Sequence, residues 1–255
     1  MIGRRTALLA LGLAGLALLG CSSRTSGGEI TLAAAASLRR VLPDLSAAYE
    51  KAHPGAHVTA TYGASGELEK QVEAGAPIDG VIFASKKPVD SLIEKGRADA
   101  ATERVLASNQ LVLIGPTGAK PVTFAALDAL PAGEMLAIGD PGAVPAGQYA
   151  RDYLQKLGKW EAVKGRLVLG ADVSAVLAYA KRGEVAAAIV YRTEAMGISE
   201  VVILDEAKGP DAPRALVVGA VVRGAKAGGE AKAFLDFVAS AEGQRLLAGA
   251  GFGPP

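Results

Sequence analysis

Apolar positions along the chain switch repeatedly between two periods. Glu29 to Ala35 predicts a short strand, after which Leu38, Val41, Leu42, Leu45 and Tyr49 recur at helical spacing. Val58 to Tyr62 predicts the next strand, followed by a helix from about Gly66 to Glu73 that stops at Gly75, because glycine takes the left-handed conformation of a helix end freely. Further strands are expected at Gly80 to Ala84 and Leu111 to Ile114, with a helical stretch over Val89 to Lys95 between them. A second run of the same kind follows. It has a strand at Met135 to Gly139, a helix from about Ala146 to Leu157 stopped by Gly158, a strand at Arg166 to Leu169 and a helix at Val173 to Lys181. Strands at Val185 to Tyr191 and Val201 to Leu204, a loop at Pro210 to Pro213, a strand at Ala215 to Val222 and helices at Ala231 to Ala239 and Glu242 to Ala248 complete it. Alternation with short linkers predicts an α/β protein whose mostly parallel sheets are flanked by helices. No fixed-period repeat is found, which excludes a solenoid.

Ahead of the first strand the pattern differs. Arg4 and Arg5 precede an apolar run from Leu8 to Leu19 that is too short for a comfortable membrane span, so residues 1–20 are expected to be a signal peptide. The run closes on Leu18-Leu19-Gly20-Cys21, the form at which lipoprotein signal peptides are cut. Cys21 is therefore expected to be the lipidated first residue of the mature chain, with the small, polar residues 21–28 as a tether. A plain cleaved signal beside a free thiol is the alternative, and the arginine pair also leaves the twin-arginine export route open. Cys21 is the one cysteine of the chain, so the fold cannot rely on a disulfide even in the oxidising compartment expected for it. About 235 mature residues allow one large or two modest domains. Of the 27 basic residues two lie in the signal peptide, leaving 25 against 26 acidic ones. A nearly neutral chain disfavours nucleic-acid binding, which needs a basic face.

Enzyme signatures are missing: there is no phosphate-binding P-loop, no G-x-G-x-x-G opening a helix, no G-x-S-x-G elbow and no H-E-x-x-H. His53 and His57 flank a Pro-Gly turn and read as exposed turn residues, since a structural metal site wants four ligands. The chain instead repeats a junction in which a strand ends in small residues and a serine opens the next helix. Ala33-Ala34-Ala35-Ala36-Ser37 leads into Leu38, and Tyr62-Gly63-Ala64-Ser65-Gly66 leads into Glu67. Serine there is expected to cap the helix while neighbouring amides point outward at the positive end of the dipole. Small residues let an anion approach the backbone. Two such junctions on neighbouring strands of one parallel sheet mark a ligand position, because ligands bind beyond the carboxyl ends of such strands. In the second half, Pro141 to Gly147 turns into a helix with Pro145 at its first position and the Ala146 and Gly147 amides presented. Asp172 is expected to cap the following helix, which frees the Val173 amide, and Tyr191 ends a strand with a hydroxyl able to donate.

Over essentially the whole mature chain these segments resemble the periplasmic molybdate-binding proteins of ABC transporters. The resemblance is carried by Ala34-Ala35-Ala36-Ser37-Leu38, by Gln71 to Pro77 with Asp79, by Gly139-Asp140-Pro141 with Val144 to Ala150, and by Ile189-Val190-Tyr191. It implies the two-lobed periplasmic-binding-protein fold of type II with two chain crossings: lobe 1 from 29–110 and 216–255, lobe 2 from 111–215. It further implies a monomer without enzymatic activity or cofactor, held outside the cytoplasm by its lipid and delivering its ligand to a transporter permease. The implied ligand is molybdate, with tungstate, held by the hydroxyls of Ser37, Ser65 and Tyr191 and by amides at or near Ala146 and Val173. Protein contact to the metal would run through the oxygens of the oxyanion. Another oxyanion such as sulfate, an enzyme on the same two-lobed fold and a structural lipoprotein remain as alternatives. The sequence departs from the family at the loop Tyr62 to Gly66, which has fewer hydroxyls, so that Ser65 is the serine to match, with its own amide or that of Gly66 as extra donors. It departs again at Phe83, a bulky residue where the family has a small one, which is expected to reshape the cleft wall.

Overall fold

The computed structural model describes residues 28–255, so the expected signal peptide, Cys21 and all but the last residue of the tether lie outside the described residues. The chain begins with β1 (Glu29–Ala35), α1 (Leu42–Ala52), β2 (His57–Gly63), α2 (Ser65–Glu73), β3 (Gly80–Phe83), α3 (Lys86–Glu94) and β4 (Arg104–Asn109). It continues with β5 (Leu111–Pro116), β6 (Leu136–Gly139), α4 (Pro145–Lys156), α5 (Trp160–Val163), β7 (Leu167–Gly170), α6 (Val173–Lys181), β8 (Ala187–Tyr191), α7 (Arg192–Ala195) and β9 (Val201–Glu206). The last elements are β10 (Ala215–Val221), α8 (Gly228–Ala239) and α9 (Ala241–Gly249).

Two five-stranded sheets result, one ordered β2-β1-β3-β10-β4 and the other β7-β6-β8-β5-β9. In the first, β1 is parallel to β2 and β3, and only β10 runs against its neighbours β3 and β4. In the second, β6 is parallel to β7 and β8, and β5 runs against β8 and β9. The α/β, two-lobed architecture expected from the alternation is thus present, with one reversed strand inside each sheet. The chain passes from one sheet to the other between Asn109 and Leu111 and returns between Glu206 and Ala215.

Alternate residues of the central strands serve two different cores. Leu32, Ala34 and Ile82 join the larger cluster with Leu45 and Tyr49 of α1 and Phe234 of α8. Ala33, Val81, Phe83, Val218 and Ala220 point the other way, onto Leu68 and Val72 of α2 and Val89 and Leu92 of α3. Both faces are therefore dry, which is why these strands read as unbroken apolar runs. Phe83 is fully buried in the smaller cluster. The expectation that it reshapes the cleft wall is corrected: period-two geometry sends its ring away from the cleft and leaves Ala84 there. Asp79, buried at the opposite ends of these strands, accepts the amides of Thr31 at 2.9 Å and Ala227 at 3.1 Å, fastening β1 to the start of α8. His53 stacks on Tyr49, and His57 sits 3.2 Å from a carboxylate oxygen of Glu50.

Candidate functional site

Six strand ends meet where the lobes face each other. On the first sheet Ala35 pairs with Gly63 and Ala34 with Ile82, so β1, β2 and β3 finish side by side. On the second, Gly139 pairs with Gly170, and β8 ends nearby at Tyr191. Between them lies a small cavity walled by Ser37, Ser65, Ala146, Val173 and Tyr191 together with Ala35, Ala84 and Asp172. All five residues singled out from the sequence are brought to this one cavity, and each is 4% exposed or less.

The serines are not caps, contrary to expectation. Ser37 lies inside a single 3-10 turn, Ala36–Leu38, with Ala35 at the capping position, and Ser65 is the first residue of α2, with Ala64 before it. Neither capping position makes a side-chain bond, so the two hydroxyls are not spent on the helix. Among the described residues Ser37 Oγ has no hydrogen-bond partner although it is buried. Ser65 Oγ accepts the Ala84 amide at 3.1 Å, and with its acceptor side occupied its own proton is free to point into the cavity.

On the opposite wall the helix starts behave as the sequence predicts, with one exception. Pro145 opens α4 and Asp172 caps α6, its Oδ1 accepting the Ala175 amide at 2.9 Å. First-turn amides have no acceptor inside their own helix, and those of Ala146, Val173 and Ser65 make no turn or loop bond among the described residues either. The exception is Gly147, whose amide donates to the Val144 carbonyl at 2.9 Å. Its function is space: a Cβ there would stand 1.9 Å from the Gly139 carbonyl oxygen, so only glycine lets α4 start this close to β6. Gly66 is likewise not a free donor, because its amide crosses the cleft to the Ala143 carbonyl at 3.1 Å.

Tyr191 completes the ring. Its hydroxyl donates to the Ala84 carbonyl at 3.3 Å, spanning the two lobes. Burial, then the neighbouring Tyr149 and Glu194, push it well above its ordinary pKa, so it stays protonated and can only present its hydrogen to an anion. Ala84 is the residue that sequence reasoning missed. Its peptide sits between the two hydroxyls, giving its amide to Ser65 and its carbonyl to Tyr191. The available signal was a third strand end with a small residue. Among the described residues Asp172 is the one charged side chain in the wall, and its carboxylate is engaged in capping.

A cavity built from strand ends of two lobes, walled by hydrogen donors and reached by two chain crossings, is the frame of a binding clamp. The model of the bacterial extracellular solute-binding proteins matches residues 30–253. The chain belongs to this family. Its relatives within the solute-binding proteins include several called molybdate-binding protein ModA. That of Haemophilus influenzae is 35% identical over 90% of this chain and 92% of its own. That of Escherichia coli is 34% identical over 88% and 89%. The substrate-binding fold is shared with the Azotobacter vinelandii periplasmic molybdate-binding protein, with a TM-score of 0.79 at 19% identity over 89% of this chain and 99% of that one. The sulfate-binding protein SubI of Mycobacterium tuberculosis superposes with a TM-score of 0.76 at 20% identity, covering 89% and 86%.

Proposed function

We propose that this solute-binding protein captures molybdate, and tungstate with it, and delivers the anion to the permease of an ABC transporter. One observation carries the reading: hydroxyls and amides from both lobes converge on a small cavity that, among the described residues, has no lysine or arginine in its wall. The ligand oxygens would be held by the hydroxyls of Ser37, Ser65 and Tyr191 and by the amides of Ala146 and Val173, and the names of the ModA relatives support the choice of anion. Molybdate is fully deprotonated at neutral pH and cannot donate, so a shell of donors suits it. Phosphate that keeps a proton would need an acceptor, and the one carboxylate in the wall is held as a helix cap, so that hydrogen would be left unpaired at about 1–3 kcal/mol. Leaving out a buried cation avoids its desolvation cost in the open protein and eases release. Tyr191 would turn its single proton from Ala84 to the ligand.

Binding without chemistry is part of this reading, since the cavity wall offers donors and its one carboxylate is held as a helix cap. Cys21 would carry the lipid that keeps the protein on the outer face of the membrane, as a monomer, with residues 21–28 as its leash. Calorimetric titration with molybdate, tungstate, sulfate and phosphate tests the assignment. Heat with molybdate and tungstate and none with phosphate is expected; heat with sulfate and none with molybdate sinks it. Molybdate at a hundred times its Kd should also raise the melting point, by the equivalent of about 2.7 kcal/mol of stability.

A further inference from the structure

The lobes are joined beside the cavity as well as across it. Three residues after Ser37, on lobe 1, the Arg40 guanidinium reaches lobe 2, where its Nη1 donates to the carbonyls of Thr193 at 3.2 Å and Met196 at 2.7 Å. These carbonyls belong to α7 and the residue that ends it. A helix of one turn leaves its carbonyls without partners of its own, and a guanidinium carries enough hydrogens to satisfy two at once. The next residue after Thr193 is Glu194, 4% exposed, whose carboxyl faces Arg40 and Arg39 from lobe 1 and Asp172 from its own lobe. Arg40 thus serves two needs of α7, its open carbonyls and its buried acid. Neither neighbouring cation bonds the carbonyls of α7, although Arg39 adds to the positive charge that Glu194 faces. Arg39 lies over the Tyr62 ring at 4.8 Å within lobe 1, and Arg245, which lines the same recess as Ser37, Arg40 and Thr193, makes no bond among the described residues.

Both ends of this contact are attached to the anion site. Arg40 lies two residues beyond the turn that holds Ser37, and α7 begins at the residue after Tyr191. We infer that Arg40 is a latch, a positioning residue that keeps the lobes shut by holding α7, and that governs how fast the bound anion escapes rather than how fast it arrives. This inference rests on the reading of the cavity as an oxyanion clamp.

Stopped-flow kinetics with molybdate, at low and high salt, separate the latch from mere attraction of an anion by a nearby cation. In Arg40→Ala dissociation should quicken about tenfold or more, as expected for losing charge-assisted hydrogen bonds, with association unchanged at either salt concentration. Arg245→Ala should alter neither rate. Slowed, salt-sensitive association with unchanged dissociation would assign Arg40 to steering and overturn the latch. Arg40→Lys keeps the charge on a shorter side chain and should dissociate at an intermediate rate, which covers the case in which the alanine variant folds poorly. A second measurement needs no ligand: spin labels at Thr61→Cys and Glu161→Cys, in a chain with Cys21→Ser, report the distance between lobes. Arg40→Ala should shift that distribution to longer distances, and an unchanged distribution overturns the proposal. Should the wild type bind no molybdate, the anion assignment fails by itself while the label distances still decide the latch.

Discussion

Ser37 and Ser65 are both buried hydroxyls at strand ends, but they have different partners, and this separates the outcomes of removing them. Ser65 Oγ is the acceptor for the Ala84 amide, so Ser65→Ala should cost stability as well as ligand affinity, about 1–3 kcal/mol for the amide left unpaired. Ser37 Oγ has no partner among the described residues. Ser37→Ala should leave the ligand-free melting point unchanged or slightly higher while weakening molybdate binding about tenfold or more. Paired thermal melts and titrations check the contrast. Glu194 gives a pH signature at the same scale. Burial is the main cause that lifts its carboxyl from 4.5 to about 7; Asp172 adds to the rise, and Arg40 and Arg39 oppose it. The folded state therefore binds the proton more tightly than the unfolded one. The stability linked to it is complete below the unfolded value and is lost as pH rises to about 7. Glu194→Gln should accordingly melt at a higher temperature than the wild type above pH 7, by an equivalent of about 3 kcal/mol, and the gap should close toward pH 4.5. A gap of the same size at every pH would contradict this.

At the level of elements, the helix starts hold the donors in place, and Gly147 is the position where substitution is least tolerable. Its missing Cβ is what allows α4 to lie against the Gly139 carbonyl. Gly147→Ala should destabilise the protein by about 3 kcal/mol or more despite alanine's better helix propensity, since backbone rather than a yielding side chain stands in the way. Denaturant unfolding measures it. Much of this layer was legible in the sequence. β1 spans the residues its apolar run marks, and Pro145 and Asp172 announce the starts of α4 and α6. What was not legible has physical causes. β4 lies at the sheet edge, where Arg104, Ser108 and Asn109 face water in part and break the apolar pattern. Ala35 and Ala64 occupy the capping positions that serine chemistry assigns to Ser37 and Ser65, because the serine hydroxyls are turned into the cavity. The fate of the Gly66 and Gly147 amides depends on Ala143 and Val144, partners that spacing alone does not reveal.

For the whole molecule, periodicity was enough for the α/β class, whereas the pairing of the lobes is set by contacts more than a hundred residues apart in the chain, such as Tyr191 with Ala84. The family relationship supplied what periodicity could not, namely that the two runs of alternation close on one another. The placement of β10 carries a consequence for how the protein assembles. Lobe 2 is continuous in sequence, and every strand of its sheet has been made once Glu206 is reached. The sheet of lobe 1 is different: β10 is inserted between β3 and β4, so β4 has no neighbour until residues 215–221 arrive. Pairings of such long range carry a loop-closure cost that slows folding. Pulsed hydrogen exchange during refolding should therefore protect β6 and β8 before β3 and β4. A nascent chain emerging from its N-terminus would leave the sheet that carries the first half of its anion site unfinished until nearly the whole polypeptide is available, which delays capture toward the end of synthesis and export.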